Sequence, residues 1–323
     1  MSTPEIRPEH RNKKWMVILL GMMSTLVSLP LVHGQQPAVP MVRSGVTEQI
    51  AEHVYVIPDG GTGGVPNVGF IVGNNATLVV DTGMGQENGA IVLAEALKIS
   101  RGTSLYLVTT HVHPEHDLGA NAFPDSTQMI RSQTQVAEIA ETGMQTADAF
   151  RARSERNRQL LEGAEFRNAD ITFEEEYVLD LGGVSVTLRA MGPNHTAGDT
   201  AIFVEQDSVL FSGDIAMQAL PAFASARSSL DHWLQSLEML EALNPGIVVP
   251  SHGPLGDEQF IRHYQEYLST VRDRTSTLKT AGNTVEQVMT TLRTELEAQY
   301  GASTRIDGAV RSAYAEALPV ANP

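Results

Sequence analysis

Cysteine is absent from all 323 residues. Disulfides, thiolate–metal sites, iron–sulfur clusters and cysteine nucleophiles are therefore excluded. Basic residues are scarce: 22 Lys+Arg stand against 38 Asp+Glu, a formal net charge of −16. Such a surface argues against nucleic acid as a partner, because phosphate binding needs clustered Lys and Arg. There is no Gly-x-Ser-x-Gly nucleophile elbow and no repeat of 20–50 residues. The glycine-rich run Gly60-Gly61-Thr62-Gly63-Gly64 leads into a strand-like stretch instead of opening a helix, which rules against P-loop and Rossmann readings. It reads as a flexible hairpin loop, with a substrate flap the alternative. The 42% of hydrophobic residues suffice for a sizeable core and exclude a collagen-like, coiled-coil or wholly disordered chain.

Arg7, Arg11, Lys13 and Lys14 precede an apolar run, Trp15 to Val32, broken by Pro30 and closed by Gly34. Residues 1–34 are expected to be a secretory signal peptide cut before Gln35, which implies a periplasmic or secreted protein with no stable membrane association after cleavage. An uncleaved anchor is the alternative, since the run nearly spans a bilayer. Residues 35–50, polar with Pro37 and Pro40, read as a linker. Residues 51–255 are expected to form the catalytic domain, and 256–323 helices that pack on it or extend it.

Short β-branched stretches at 53–58, 68–72, 77–80, 105–109, 177–181, 184–190, 201–205, 209–211 and 247–249 read as strands. Apolar residues at helical spacing predict helices over 87–100, 132–162 and 229–243. They also predict one from Asp257 and another after Gly282-Asn283. The charged part of 132–162 reads as a solvated helix face. Strands alternating with helices imply an α/β architecture. The two successive halves, each strands then helix, fit a duplicated sandwich.

Ten histidines are present, and three of them fall within Thr110-His111-Val112-His113-Pro114-Glu115-His116-Asp117. Chance gives that spacing roughly 1 time in 100 for this composition. On extended chain His111 and His113 leave on the same side, which suits two imidazoles on one ion. Beyond Pro114 the chain must turn, so Glu115 and His116 can aim at a second ion. Pro193-Asn194-His195, Ser212-Gly213-Asp214 and Pro250-Ser251-His252 add further ligand-type residues on loops after strands, where α/β sheets collect their chemistry. Five imidazoles and two carboxylates suit Zn²⁺ better than Mg²⁺ or Ca²⁺. His53, His232 and His263 lie outside every motif and read as structural or exposed. Arg227 reads as a surface arginine, with pairing to a substrate carboxylate the alternative.

Taken in order, with Asp81-Thr82-Gly83 as an early turn, these motifs resemble the metallo-β-lactamase superfamily over roughly residues 50–255. The resemblance implies an αββα sandwich of two mixed β-sheets flanked by helices, with a dinuclear site at one edge. It implies His111, His113 and His195 on a first metal, and Glu115, His116 and His252 on a second. Asp214 would bridge the two, and Asp81 would orient the ligand loop. One departure stands out: Glu115 replaces the family's aspartate, moving the carboxylate outward by ~1.5 Å. Asp117 is expected to point away. Zinc, at two ions per chain in such a site, is the expected metal, with iron or manganese as alternatives.

Two close metals lower the pKa of a bridging water, polarise the scissile group and hold the leaving group. The implied activity is hydrolysis of a small molecule's ester, thioester, lactone or related bond, with Glu115 and Asp214 as catalytic residues. The alternatives are an iron sulfur-dioxygenase-like oxidoreductase, a β-lactam hydrolase and a non-catalytic accessory protein. Asp214 counts against the β-lactam reading, because the family's true β-lactamases usually carry Cys or Ser there.

Overall fold

The computed structural model describes residues 1–2 and 41–318. Apart from its first two residues, the segment expected to be the export signal lies outside the described residues, as do 35–40. Within the described part, no helix is long and apolar enough to cross a membrane.

Seven strands form the first sheet in sequence order: β1 (Glu48–Gln49), β2 (Val54–Ile57), β3 (Val68–Val72), β4 (Ala76–Val80), β5 (Ser104–Val108), β6 (Gln128–Ser132) and β7 (Ile171–Phe173). Pairing is antiparallel from β1 to β4 and parallel from β4 to β7. The second sheet holds β8 (Glu176–Asp180), β9 (Ser185–Ala190), β10 (Thr200–Val204), β11 (Val209–Gly213) and β12 (Ile247–Pro250), in the order β12-β11-β10-β9-β8. Only β11 and β12 pair in parallel there. Both sheets are mixed, as expected.

The sandwich interior follows from the two-residue strand period. Val54, Val56, Ile71, Leu78, Val80 and Val108 of the first sheet meet Val186, Leu188, Ile202, Val209, Phe211 and Val249 of the second. The opposite faces of β3 and β4 bury Val68, Phe70, Val72 and Val79 against Val92 and Ala96 of α1 (Gly85–Ile99). Strands buried on both faces read as continuous apolar runs, which is how VGFIV and ATLVV read. Gly69 is required inside: a Cβ there would lie 2.2 Å from the Phe211 ring.

Helix α6 (Leu230–Ala242) covers the outer face of the second sheet together with α7 (Glu258–Thr280), α8 (Val285–Tyr300) and α9 (Ile306–Glu316). Trp233 is wholly buried among them and donates Nε1–H to Ile215 O at 2.9 Å. The tail therefore packs on the domain. Its first two helices sit where the periodicity places them. The third was not expected; it buries Ile306, Ala309, Val310 and Ala313.

Two expectations are corrected, and two strands are added. The linker reading fails for 41–50, where Val42 is buried and β1 adds to the sheet edge. Asn88 and Glu95 of α1 hold this segment: Asn88 Oδ1 accepts from Val42 N (2.8 Å), and Glu95 Oε1 accepts from Gly45 N (2.9 Å). Residues 132–162 are not one helix. They form α3 (Gln133–Glu138), a π-helical turn (Ile139–Gly143), α4 (Met144–Arg151) and α5 (Glu155–Leu160), which Ser154 caps. Strands β6 and β7 lie in two stretches to which the pattern assigned no element. Arg131 within β6 is buried, and that broke the apolar pattern.

The sandwich has two distinct ends. At one, the β3–β4 turn bonds to the β8–β9 turn, with Asn74 N donating to Gly182 O at 2.7 Å and Asn75 N to Leu181 O at 2.9 Å. At the other, β4, β5, β11 and β12 finish, and every ligand-type motif follows one of these strands or β9.

Candidate metal centre

Asp81 leaves β4 in a left-handed conformation, φ +64°. This region is uncommon for any residue but glycine, and Asp tolerates it better than most. Its carboxylate then faces the loop after β5. Oδ1 accepts from Thr110 N (2.7 Å), and Oδ2 accepts from Thr110 Oγ1 (3.1 Å) and from His116 Nδ1 (2.8 Å). Pro114, whose fixed φ suits a first helical position, opens the four-residue helix α2 (Pro114–Asp117) and turns Glu115 and His116 inward. Asp117 points away, as expected. It pairs with the buried Arg131 and accepts from Thr109 Oγ1 at 2.7 Å, which pins α2 to β6 and β5.

The hydrogen bonds behind the imidazoles set their tautomers. His195 Nδ1 donates to Ala222 O (2.6 Å), and His252 Nδ1 donates to Val65 O (2.8 Å). His116 Nδ1 donates to Asp81. Thr110 spends its hydroxyl proton on Asp81, so its oxygen accepts from His111 Nδ1 at 3.1 Å. In the neutral form of each of the four rings, Nε2 carries the lone pair. These lone pairs converge: His111 Nε2 and His195 Nε2 lie 3.1 and 3.3 Å from His113 Nδ1. His195 Nε2 is 3.3 Å from Asp214 Oδ2.

Acceptors facing acceptors repel unless a cation lies between them. Three buried atoms here, Glu115 Oε2, His116 Nε2 and Asp214 Oδ1, have no hydrogen-bond partner. Buried polar groups of this kind are costly when orphaned, and an ion satisfies all three. Within 4.8 Å of one another lie ligand atoms of three sets: His111–His113–His195, Glu115–His116–His252, and His111–His116–Asp214. The donor set is imidazole and carboxylate, and it fits a pair of borderline ions.

The electrostatics differ across the site. Burial and the neighbouring imidazoles hold His111 and His113 well below the usual histidine value. Burial opposes charge on His116 too, but Asp81 behind it outweighs this and raises it to about 9. Burial pushes the Glu115 carboxyl up. Burial acts the same way on Asp214, where His195 and His252 overcome it and bring the carboxyl down to about 2.

All eight residues singled out from the sequence are brought together, Glu115 included despite its extra methylene. Others had no motif to announce them. Glu138 accepts from Ala197 N (2.9 Å) and Gly198 N (2.8 Å), and Asp199 accepts from Thr196 Oγ1 (2.6 Å), so two carboxylates clamp the His195 loop. The glycine-rich loop is fastened at its base, where the hairpin reading expected flexibility. Asp59 Oδ2 accepts from Gly253 N (2.8 Å), and Asn67 Nδ2 donates to Pro250 O (2.8 Å). His53 pairs with Asp207, and His232 donates to Met191 O, both outside the site as expected.

Above the cluster opens a cleft of about 940 Å³, whose walls include Gly63, Phe150, Arg153, Met217, Ala222 and Arg227. Arg227 is exposed, as read, and pairs with Glu141 across the mouth.

Among curated proteins the chain is similar to a linear primary-alkylsulfatase of Pseudomonas sp. (strain ATCC 19151). That match is 23% identical and takes in 66% of this chain and 47% of that protein. It is also similar to a beta-lactamase-like protein 2 homolog of Caenorhabditis elegans, at 25% identity over 62% of this chain and 59% of that one. The chain thus spans about half the length of the curated relatives it matches. The solved sec-alkylsulfatase Pisa1 of Pseudomonas sp. superposes with a TM-score of 0.67 at 14% identity, over 83% of this chain and 49% of that one. A metallo-beta-lactamase family protein of Thermus thermophilus superposes at 0.59 and 17% identity, over 82% and 93%. These two likenesses show a shared fold. The sequence profile of the metallo-beta-lactamase superfamily matches residues 61–252, a span that runs from the glycine-rich loop to the last histidine of the cluster. The chain belongs to the metallo-beta-lactamase superfamily.

Proposed function

We propose that this protein is an exported, zinc-dependent hydrolase that cleaves an ester-type bond of a small molecule. One observation carries this reading: imidazole lone pairs and orphaned carboxylate oxygens converge at the floor of an open cleft. His111, His113 and His195 would hold one ion, and Glu115, His116 and His252 the other. Asp214 would be shared between them. When bound, such ions lower the pKa of an attacking water and polarise the scissile group.

The chain's own residues do the rest. Asp81, Ala222 O and Val65 O keep three imidazoles in the tautomer that presents Nε2. Arg131 and Asp117 hold α2, and with it Glu115, in place. The Glu115 carboxylate oxygen not given to the ion would take a proton from the attacking water and return it to the leaving group. Phe150 and Met217 exclude water from the cleft wall.

The two alkylsulfatase likenesses make a linear alkyl sulfate the first substrate to try. A lactone, a thioester, a phosphodiester and nitrocefin complete the screen. Protein purified without added metal is expected to carry about two zinc ions per chain and to lose hydrolysis on chelation. One iron per chain with oxygen consumption would replace hydrolysis by a dioxygenase reading. Export has its support in the amino-terminal pattern of basic residues and apolar run, and a mature chain beginning at Gln35 is the expected result of N-terminal sequencing.

A further inference from the structure

The wall of the cleft built from α3, the π-helical turn and α4 changes sign along its length. Glu138 and Glu141 stand at one end, Phe150 and Arg153 at the other. Three guanidinium groups border the cleft. Arg227 is committed to Glu141, and Arg305 gives Nη1 to Leu220 O at 2.5 Å. Arg153 differs from both. Its guanidinium carbon lies 3.4 Å from the centroid of the Phe150 ring, and among the described residues it has no carboxylate partner. Phe150 is buried beneath it, and that ring lies 5.2 Å from the His113 imidazole.

Stacking holds a guanidinium by its face and leaves the N–H fork at its edge free for two oxygens. The rest of the floor is rich in carboxylates, and the whole chain carries −16. Among the described residues Arg153 and Arg305 are the cleft arginines without a carboxylate partner, and Arg153 is the one stacked a single ring away from the metal-ligand cluster.

We propose that Arg153 is the subsite for an oxyanion group, a carboxylate, sulfonate or sulfate, carried by the substrate. This deepens the hydrolase reading and rests on it for the identity of the cleft, yet its test needs no turnover. The probe is 1-hexanesulfonate, which has no hydrolysable bond, with uncharged hexyl methyl sulfone as control. Calorimetric titration of the metal-loaded protein is expected to show sulfonate binding that weakens about fivefold in R153Q, the scale of one exposed ion pair. R153K keeps the charge, loses the fork and is expected to fall between. The sulfone is expected to behave alike on all three, with metal content unchanged. Equal sulfonate affinity in wild type and R153Q, or no sulfonate binding by the wild type, overturns the subsite. Arg153-dependent binding by a protein that hydrolyses nothing in the screen would overturn the hydrolase reading and keep the subsite.

Discussion

His111, His113 and His195 rest on neutral backing: a threonine hydroxyl behind the first and a backbone carbonyl behind the last. Among Glu115, His116 and His252 a carbonyl stands behind His252 as well, but Asp81 stands directly behind His116 and Glu115 brings a second buried carboxyl. Burial and the neighbouring imidazoles hold His111 and His113 as neutral rings, ready as ligands. The other three are a charge-balanced cluster in which His116 retains a proton until something displaces it. The same loop thus offers two unequal half-sites, and the inequality comes from what lies behind the ligands.

The most severe way to break that comparison is to remove the group common to both. Asp214→Ala is expected to lower turnover roughly 10³-fold, the scale of losing a group that stabilises developing charge. Metal per chain should drop from two to one or fewer by elemental analysis. Retention of both ions would show that Asp214 bridges nothing.

Removing the backing from one half-site comes next. Asp81→Asn leaves every ligand in place but takes the carboxylate from behind His116. Metal affinity at that half-site is expected to weaken roughly 10–100-fold, read by chelator competition, with the other ion held normally. Equal weakening of both ions would mean that Asp81 supports the loop as a whole.

In the metal-free protein the two half-sites pull stability in opposite directions with pH. His116 is raised to about 9, so its contribution is full below the unfolded value of about 6.5 and is lost as pH rises towards 9. His111 and His113 are lowered, so theirs is full above about 6.5 and is lost as pH falls below it. A thermal-melting optimum near neutral pH follows, and Asp81→Asn is expected to flatten its alkaline limb. An unchanged limb in that variant would remove the assignment.

The smallest effect is expected from Glu115→Asp. The carboxylate retreats by one C–C bond, and turnover should hold or rise by about the tenfold that one charge-assisted hydrogen bond is worth. Abolished metal binding would show that this chain needs the longer side chain.

The ligand loops were legible because their chemistry is local. Three histidines in six residues betray themselves by type and spacing, and the strands before them by unbroken apolar runs. What supports the ligands was not legible. Val65 O and Ala222 O are backbone acceptors, which any residue supplies. Glu138 and Asp199 act from helix and loop positions where acids are ordinarily solvated. Arg131 was hidden twice over, as a charge inside a strand and as the distant partner of Asp117. The segment at 41–50 looked like a linker because the residues that hold it, Asn88 and Glu95, lie more than 40 positions onward on α1.

The bond from His252 Nδ1 to Val65 O joins a ligand to the loop that forms one lip of the cleft. A cation drawing on His252 Nε2 makes the opposite ring N–H a better donor, and so tightens that loop. Coupling of this kind is reciprocal: a molecule that displaces the Gly61–Gly64 lip also alters how firmly His252 grips its ion. Amide exchange at residues 61–65 should therefore slow on metal loading, which makes the lip a reporter of occupancy at the more distant end of its own hydrogen bond.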